Sequence, residues 1–231
     1  MNKIFIEDLT SEKDLYFEES AIVIVKNSDC KLNYFIKDDI NVFTLIMSSK
    51  AFVSCKVECN SSFNMFSFNS SLNVKIDILK DNINYRYAYS TLNKDDNDYQ
   101  IDINHLGNNI TSNITNHGIN TDNNKLSFVI NTVVPKNSIN INTNQDSKII
   151  VLKDNNASIK PNLLIDNDDI EANHSAYIGR FKEEELFYLM TRGIKRDDSV
   201  YLMIKSFLIG NMKINSEEKE LILNIIKEYW R

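Results

Sequence analysis

A mainly β body carrying a short α-helical tail is what this sequence predicts, on three observations. Apolar and polar residues alternate over short runs through most of the chain. Clusters of Asn, Asp and Ser separate those runs. Helical spacing of apolar residues is confined to the stretch after about residue 179.

From the N-terminus, residues 1–20 read as an irregular segment leading into the body. Ala21 to Val25 is an apolar run of strand length, far short of the roughly 18 residues a membrane span needs. Leu72, Val74, Ile76 and Ile78 fall on one strand face, with Asn73, Lys75 and Asp77 on the other. Tyr85, Tyr87 and Tyr89 repeat the period of two, as do Ile101 with Ile103 and Ile139 with Ile141. The turn clusters lie at Asn93–Asp98, Asn120–Asn124 and Asp154–Asn156. Asn and Asp tolerate left-handed backbone and bond their own main chain, which lets a chain with 5 Gly and 2 Pro still turn often.

The tail holds three helix candidates. Glu183 to Arg192 opens with three glutamates that suit the helix dipole, carries Leu186, Leu189 and Met190 on one face, and stops at Gly193. Asp197 is placed to cap a second helix with Val200, Tyr201, Ile204, Phe207 and Leu208 on its apolar face, ending near Gly210. Ser216 is placed to cap a third, with Leu221, Ile222, Ile225, Ile226 and Tyr229 at helical spacing. Such short helices need the β body or another chain to cover them. The expected division is a β body over 1–178 and a helical domain over 179–231.

Many short strands fit a sandwich, a barrel or a β-solenoid. The solenoid is favoured because the strands are short and frequent, the turns are rich in Asn that can stack from coil to coil, and no Asn-Gly or Asp-Gly hairpin signal joins alternating runs.

Composition narrows the function. A net charge of −6 and a pI near 5.2, with no basic stripe, argue against nucleic-acid binding. Lys3 is followed by only Ile4, Phe5 and Ile6 before Glu7, so no signal-peptide core is read and a cytoplasmic protein is expected. Cys55 and Cys59, on one extended strand, would sit about 13 Å apart, beyond disulfide reach. They and Cys30 are expected as reduced, buried or half-buried thiols. No Cys/His metal spacing, phosphate-binding loop or nucleophile elbow is present. Asp166, Asp168 and Asp169 read as a solvated turn. His105, Asn109 and His117 read as hydrogen-bonded corner residues of the solenoid.

One segment carries more. His174-Ser175-Ala176-Tyr177-Ile178-Gly179, followed by Glu183 to Leu189 and then Arg192, Gly193 and Ile194, resembles the C-terminal signature of the SufB/SufD family, scaffold subunits of the SUF iron–sulfur cluster assembly machinery. Upstream, His105, Asn109, Thr111 or Ser112, Gly118, Ile119, Gln145, the run Ile149 to Leu152, and Ala157 with Pro161 and Leu163 resemble earlier family blocks in the same order. The resemblance spans roughly residues 100 to 210. With all three cysteines before residue 60, it is closer to SufD than to SufB. Departures include Ala172 where the family often has Cys, Leu164 in place of Glu, Tyr177 in place of Thr, and no N-terminal helical domain.

The resemblance implies a right-handed parallel β-helix with a small C-terminal helical domain. It also implies a non-enzymatic subunit that pairs with a SufB-type subunit or itself and docks the SufC ATPase. No intrinsic cofactor is implied, only a transient iron–sulfur cluster at the complex interface. His174 would lie at that interface as a candidate cluster ligand. Phe187, Tyr188, Arg192, Gly193 and Ile194 would face the ATPase. The competing expectations are a carbohydrate-active β-helix enzyme, which needs a carboxylate cluster on one face, and a solenoid that associates only with itself.

Overall fold

The computed structural model describes residues 2–153 and 156–230. The strands alternate between two sheets as the chain advances. One sheet takes β1 (Asn2–Glu7), β3 (Ala21–Lys26), β5 (Asn41–Met47), β7 (Ser61–Phe68), β9 (Asn84–Asn93), β11 (Ile110–Asn120), β13 (Ile141–Val151) and β15 (Ile170–Gly179), side by side in that order. The other takes β2 (Glu12–Phe17), β4 (Asp29–Ile36), β6 (Lys50–Val57), β8 (Ser71–Ile78), β10 (Asn97–His105), β12 (Leu126–Val134) and β14 (Ala157–Ile165). Every strand pairing among the described residues is parallel. The body is a parallel β-helix.

Side-chain alternation sets its two cores. In β4, Cys30, Leu32, Tyr34 and Ile36 point into the lumen between the sheets, while Lys31, Asn33 and Phe35 point out. An aromatic column of Phe17, Tyr34, Phe63 and Tyr87 runs through the lumen with ring centroids 5.1, 5.5 and 5.8 Å apart. The eight-stranded sheet is buried on its outer face as well. This explains why β3 reads as continuous Ala-Ile-Val-Ile-Val rather than as an alternation. Its outer residues Ile22, Ile24, Phe43, Leu45 and Phe66 form a second core with Ile204, Leu208, Ile222 and Ile226 of the tail.

The tail is α1 (Glu183–Thr191), α2 (Arg196–Ile209) and α3 (Ser216–Trp230). The β body thus covers the apolar faces of α2 and α3, as their length requires.

Stacked polar side chains hold the turns. Asn27, Asn69, Asn82, Asn109 and Asn140 take left-handed backbone, as do Asp8 and Ser48. Asn82, Asn109 and Asn140 link by side-chain amide hydrogen bonds of 3.1 and 2.9 Å on successive coils. On another corner Ser49 Oγ accepts from the Ser28 amide at 3.0 Å, and Ser70 Oγ from the Ser49 amide at 3.1 Å.

Five expectations change in detail. Residues 1–20 are not irregular: β1 and β2 lie there, because Ile4, Ile6, Leu15 and Phe17 alternate into the lumen core. Ile139 is exposed in a turn, since left-handed Asn140 breaks the strand before Ile141. Cys59 lies beyond the end of β6, where its thiol donates to the Asp38 carbonyl at 2.8 Å. The second helix starts at Arg196 with no side-chain cap, so Asp197 sits inside its first turn. The third is capped by Asn215, not Ser216: Asn215 Oδ1 accepts from the amides of Glu217 and Glu218, and Glu218 Oε2 accepts from the Asn215 amide at 2.8 Å. Of the Asp154–Asn156 turn, Asp154 and Asn155 lie outside the described residues.

Candidate functional site

Two places carry the residues singled out by the sequence, helix α1 and the C-terminal one of the two open ends of the β-helix, called the open end below. At the open end, β14 and β15 are the last strands of their sheets. In the coil below, Leu126, Phe128, Ile130, Thr132 and Val134 are buried in the lumen. Their register partners on β14 are Ala157, Ile159, Pro161, Leu163 and Ile165, and no coil lies over these. On β15 the lumen-side residues are Ile170, Ala172, His174, Ala176 and Ile178. The end therefore shows a tier of core-type residues to solvent, with Ile165 36% and Ile178 44% exposed. It is flanked by two strand edges whose outer backbone groups have no strand partner among the described residues.

His174 sits in the middle of this tier, exposed, directly above Gln145 of β13 in the parallel register. Gln145 is buried and reaches across the lumen, its Nε2 donating to the Ile130 carbonyl at 3.4 Å. Its Oε1 is buried without a partner.

The donor set at this end suits a cargo metal only as a fragment. Among the described residues no group of three His, Cys, Asp or Glu gathers anywhere. The three thiols lie well away from this end, on β4, on β6 and just past β6, four to five strands back in the same sheet as β14. Burial pushes the half-buried Cys59 thiol up to about 11, with Asp39, Asp38 and Glu58 adding to it, so it is no ready thiolate. One imidazole is what this end offers, and other ligands must come from a facing molecule.

The other two histidines do different work. His105 ends β10 at a corner, fully buried. Its Nδ1 lies 3.3 Å from the Val133 carbonyl and its Nε2 2.8 Å from Ser112 Oγ, which in turn lies 2.8 Å from Thr143 Oγ1. Burial pulls its pKa down to about 4, only partly opposed by the Val133 bond. Asn109 is at the next turn, in the Asn ladder. His117 is not at a corner. It lies within β11 on the outer face, stacked on Phe207 with centroids 4.4 Å apart, and donates from Nδ1 to the Phe207 carbonyl at 2.7 Å. That carbonyl is in the last turn of α2, where intrahelical donors run out. His117 thus pins the tail to the body.

Helix α1 stands apart from the second core. Leu186 is buried, but Phe187 is 67% and Tyr188 58% exposed, and Met190 faces solvent rather than the expected core. Arg192 lies over the Tyr188 ring at 5.2 Å, and its guanidinium donates to the Tyr188 hydroxyl at 3.2 Å. Gly193, at φ +83°, ends the helix. Its amide donates to the Met190 carbonyl at 3.0 Å and that of Ile194 to Leu189 at 3.4 Å, a Schellman closure that leaves Ile194 half-buried. Between α1, α2 and the strands lies a cleft of about 1070 Å³ lined by Tyr177, Phe181, Tyr188, Leu189, Met203 and Phe207, among others.

The family model for the SufBD core domain of SUF-system FeS cluster assembly matches residues 5–207. The chain belongs to the SufBD family. Among curated proteins it is 30% identical over 122 residues to the iron–sulfur cluster assembly protein SufD of Bacillus subtilis, covering 51% of this chain and 28% of that protein. It is 46% identical over 53 residues to a SufBD family protein of Pyrococcus horikoshii, covering 23% and 12%. It is 42% identical over 48 residues to SufD of Escherichia coli, covering 21% and 11%. The chain thus matches less than a third of the length of each of these relatives. The first of them makes this a SufD-like member of the SufBD family.

Three features of this SufBD chain leave almost no local signal in its sequence. These are the α1–α2 cleft, the placement of Gln145 beneath His174, and the pinning role of His117. The second and third join residues 29 and 90 positions apart, and the cleft needs α1 and α2 to meet over β13 and β15. The one available signal was Gln145 itself, a polar residue at a lumen position of an alternating run.

Proposed function

We propose that this chain is a SufD-like scaffold subunit of an iron–sulfur cluster assembly complex. It works without catalysis of its own, in the cytoplasm, pairing by the open end of its β-helix and docking an ABC-type ATPase of the SufC kind on α1. The observation that carries this reading is the open end. Core-type residues and two strand edges lie exposed around a single imidazole, His174. Such a surface is incomplete by itself. A SufB-type subunit, or a second copy, would continue both sheets, bury the tier and bring the remaining ligands for a cluster that passes through as cargo.

The exposed face of α1 supports the second contact. Phe187 and Met190 offer apolar surface, and Arg192 on Tyr188 offers a pre-ordered cation. Aromatic and Arg side chains of this kind are typical interface anchors. Gly193 and Ile194 set the turn that presents them. Among the described residues no helix is long and apolar enough to cross a membrane.

Co-purification with the SufC-type ATPase of the same source tests this reading. Wild type is expected to retain the ATPase, and Arg192→Glu and Phe187→Asp to lose it while folding normally, since both side chains are exposed. A wild type that does not bind, or variants that bind as well, would leave a self-associating solenoid as the better description.

A further inference from the structure

Gln145 is a buried amide with half of its hydrogen bonding undone. It is 1% exposed and lies in the lumen of the last fully covered coil. The Ile130 carbonyl can only accept, so the NH2 end of the amide faces it and Oε1 is the end left over. Oε1 is buried and unpartnered among the described residues. A polar atom in that state calls for a donor.

The parallel register places one above it. Gln145 and His174 are Cα partners on β13 and β15, and both side chains project to the lumen side. Coils stack about 4.8 Å apart. The flanking lumen partners one coil up, Ala172 over Thr143 and Ala176 over Ser147, carry no donor in their side chains. His174 is exposed, so nothing packed around its ring prevents it from turning toward the lumen.

A neutral imidazole has one N–H and one lone pair, and whichever nitrogen holds the proton leaves the other free to bind a metal. The nitrogen nearer the backbone, Nδ1, is the one that reaches down the strand stack when the ring turns inward. Nε2 then points out of the open end. Metal-binding histidines commonly donate their second N–H to a carbonyl or carboxylate, which fixes both tautomer and ring plane.

We propose that Gln145 is a positioning residue for His174. Its Oε1 accepts the Nδ1–H of His174, holding the imidazole in one tautomer with the Nε2 lone pair aimed into the pairing interface. This deepens, and rests on, the scaffold reading above, because that reading supplies the iron to which Nε2 would be presented. It also accounts for a glutamine at a lumen position where an aliphatic residue would satisfy packing.

Imidazole ¹⁵N shifts of the full chain, labelled at histidine and held at about pH 8 where free imidazole is neutral, read the tautomer without any cluster. The chain has three histidines. His105 and His117 each face a backbone carbonyl through Nδ1 and serve as internal references for that tautomer. Wild-type His174 is expected to give a pyrrole-like Nδ1 and a pyridine-like Nε2. Gln145→Met, close in volume but without an acceptor, is expected to lose this pattern for the Nε2–H-rich mixture of free imidazole. The His105 and His117 signals report whether this variant folds. If Gln145→Met does not fold, the wild-type tautomer alone decides. A mixed or Nε2–H His174 in wild type overturns the proposal, as does an unchanged pattern in folded Gln145→Met.

Cluster loading of the paired complex is a separate arm, expected to weaken by about 10–100-fold in Gln145→Met. A fixed tautomer with no cluster loading in wild type would sink the assembly reading and leave the positioning contact standing.

Discussion

His105 must stay neutral where the fold places it. Protonation would put a charge among Ile103, Ser112 and Thr143 with no carboxylate in contact. In the unfolded chain its pKa is near 6.5, and in the folded chain about 4. Above 6.5 both states are neutral and His105 costs nothing. As pH falls from 6.5 toward 4, the unfolded state alone takes up the proton, and stability drops by up to about 1.4 kcal/mol per pH unit. Urea unfolding of wild type and His105→Gln at pH 7 and pH 5 should show the wild-type advantage shrinking by about 2 kcal/mol at the lower pH. A constant difference would mean that His105 is not buried neutral. That His105 makes hydrogen bonds at a corner was legible in its position after an alternating run. That His117 lies under a helix was not, because its partner Phe207 is 90 residues away. Local pattern reports which face a side chain takes, and says nothing of what covers that face.

At the scale of elements, the alternating runs, the Asn-rich turns and the helix stop at Gly193 were written plainly in the sequence. Each is a local effect of side-chain period or backbone φ. The caps were read less well. Asn215 takes the place expected of Ser216 because Glu218, three residues on, can answer its amide in a capping box. The sequence also left open what holds the tail down. The α2–α3 connection is fastened to β9 by Asn211, whose Oδ1 accepts from Ser90 Oγ at 2.9 Å, whose Nδ2 donates to the Tyr89 carbonyl at 3.0 Å, and whose own carbonyl accepts from Arg86 at 2.6 Å. Asn211→Ala strands the first two partners in a buried site, at a cost of roughly 2–3 kcal/mol. Amides of α2 and α3 are then expected to exchange with solvent about 30–150-fold faster, with those of β4 to β8 unchanged. Uniform acceleration across the body, or none, would show that Asn211 does not tie the two parts together.

For the whole molecule, the lumen changes character along its length. Around β3 to β8 it is lined by Val23, Leu32, Val53, Met65 and Ile76, with few polar side chains. Toward the open end it takes in Ser112, Asn116, Thr132, Thr143, Gln145 and Ser147. These polar groups are buried in the covered coils, and the last coil above them is again apolar on its lumen side except for His174. If that face is a pairing surface, Ile165 on β14 and Ile178 on β15 mark its two edges, one in each sheet. Lysine at either position sits in solvent in the lone chain, so melting of the lone chain should change little. In the pair the same lysines would be taken from water without a partner, at several kcal/mol each. Ile165→Lys/Ile178→Lys is therefore expected to run as a monomer by light scattering at concentrations where wild type pairs with itself or with a SufB-type subunit. The size of the wild-type assembly carries equal weight. A two-fold axis across the open end saturates both edges of both molecules and stops at two, whereas repeated head-to-tail stacking has no such limit. A discrete pair that the lysines dissolve would fit the proposed scaffold. A ladder of sizes would mean that the end stacks head to tail and does not pair, and a pair indifferent to the lysines would place the contact elsewhere on the molecule.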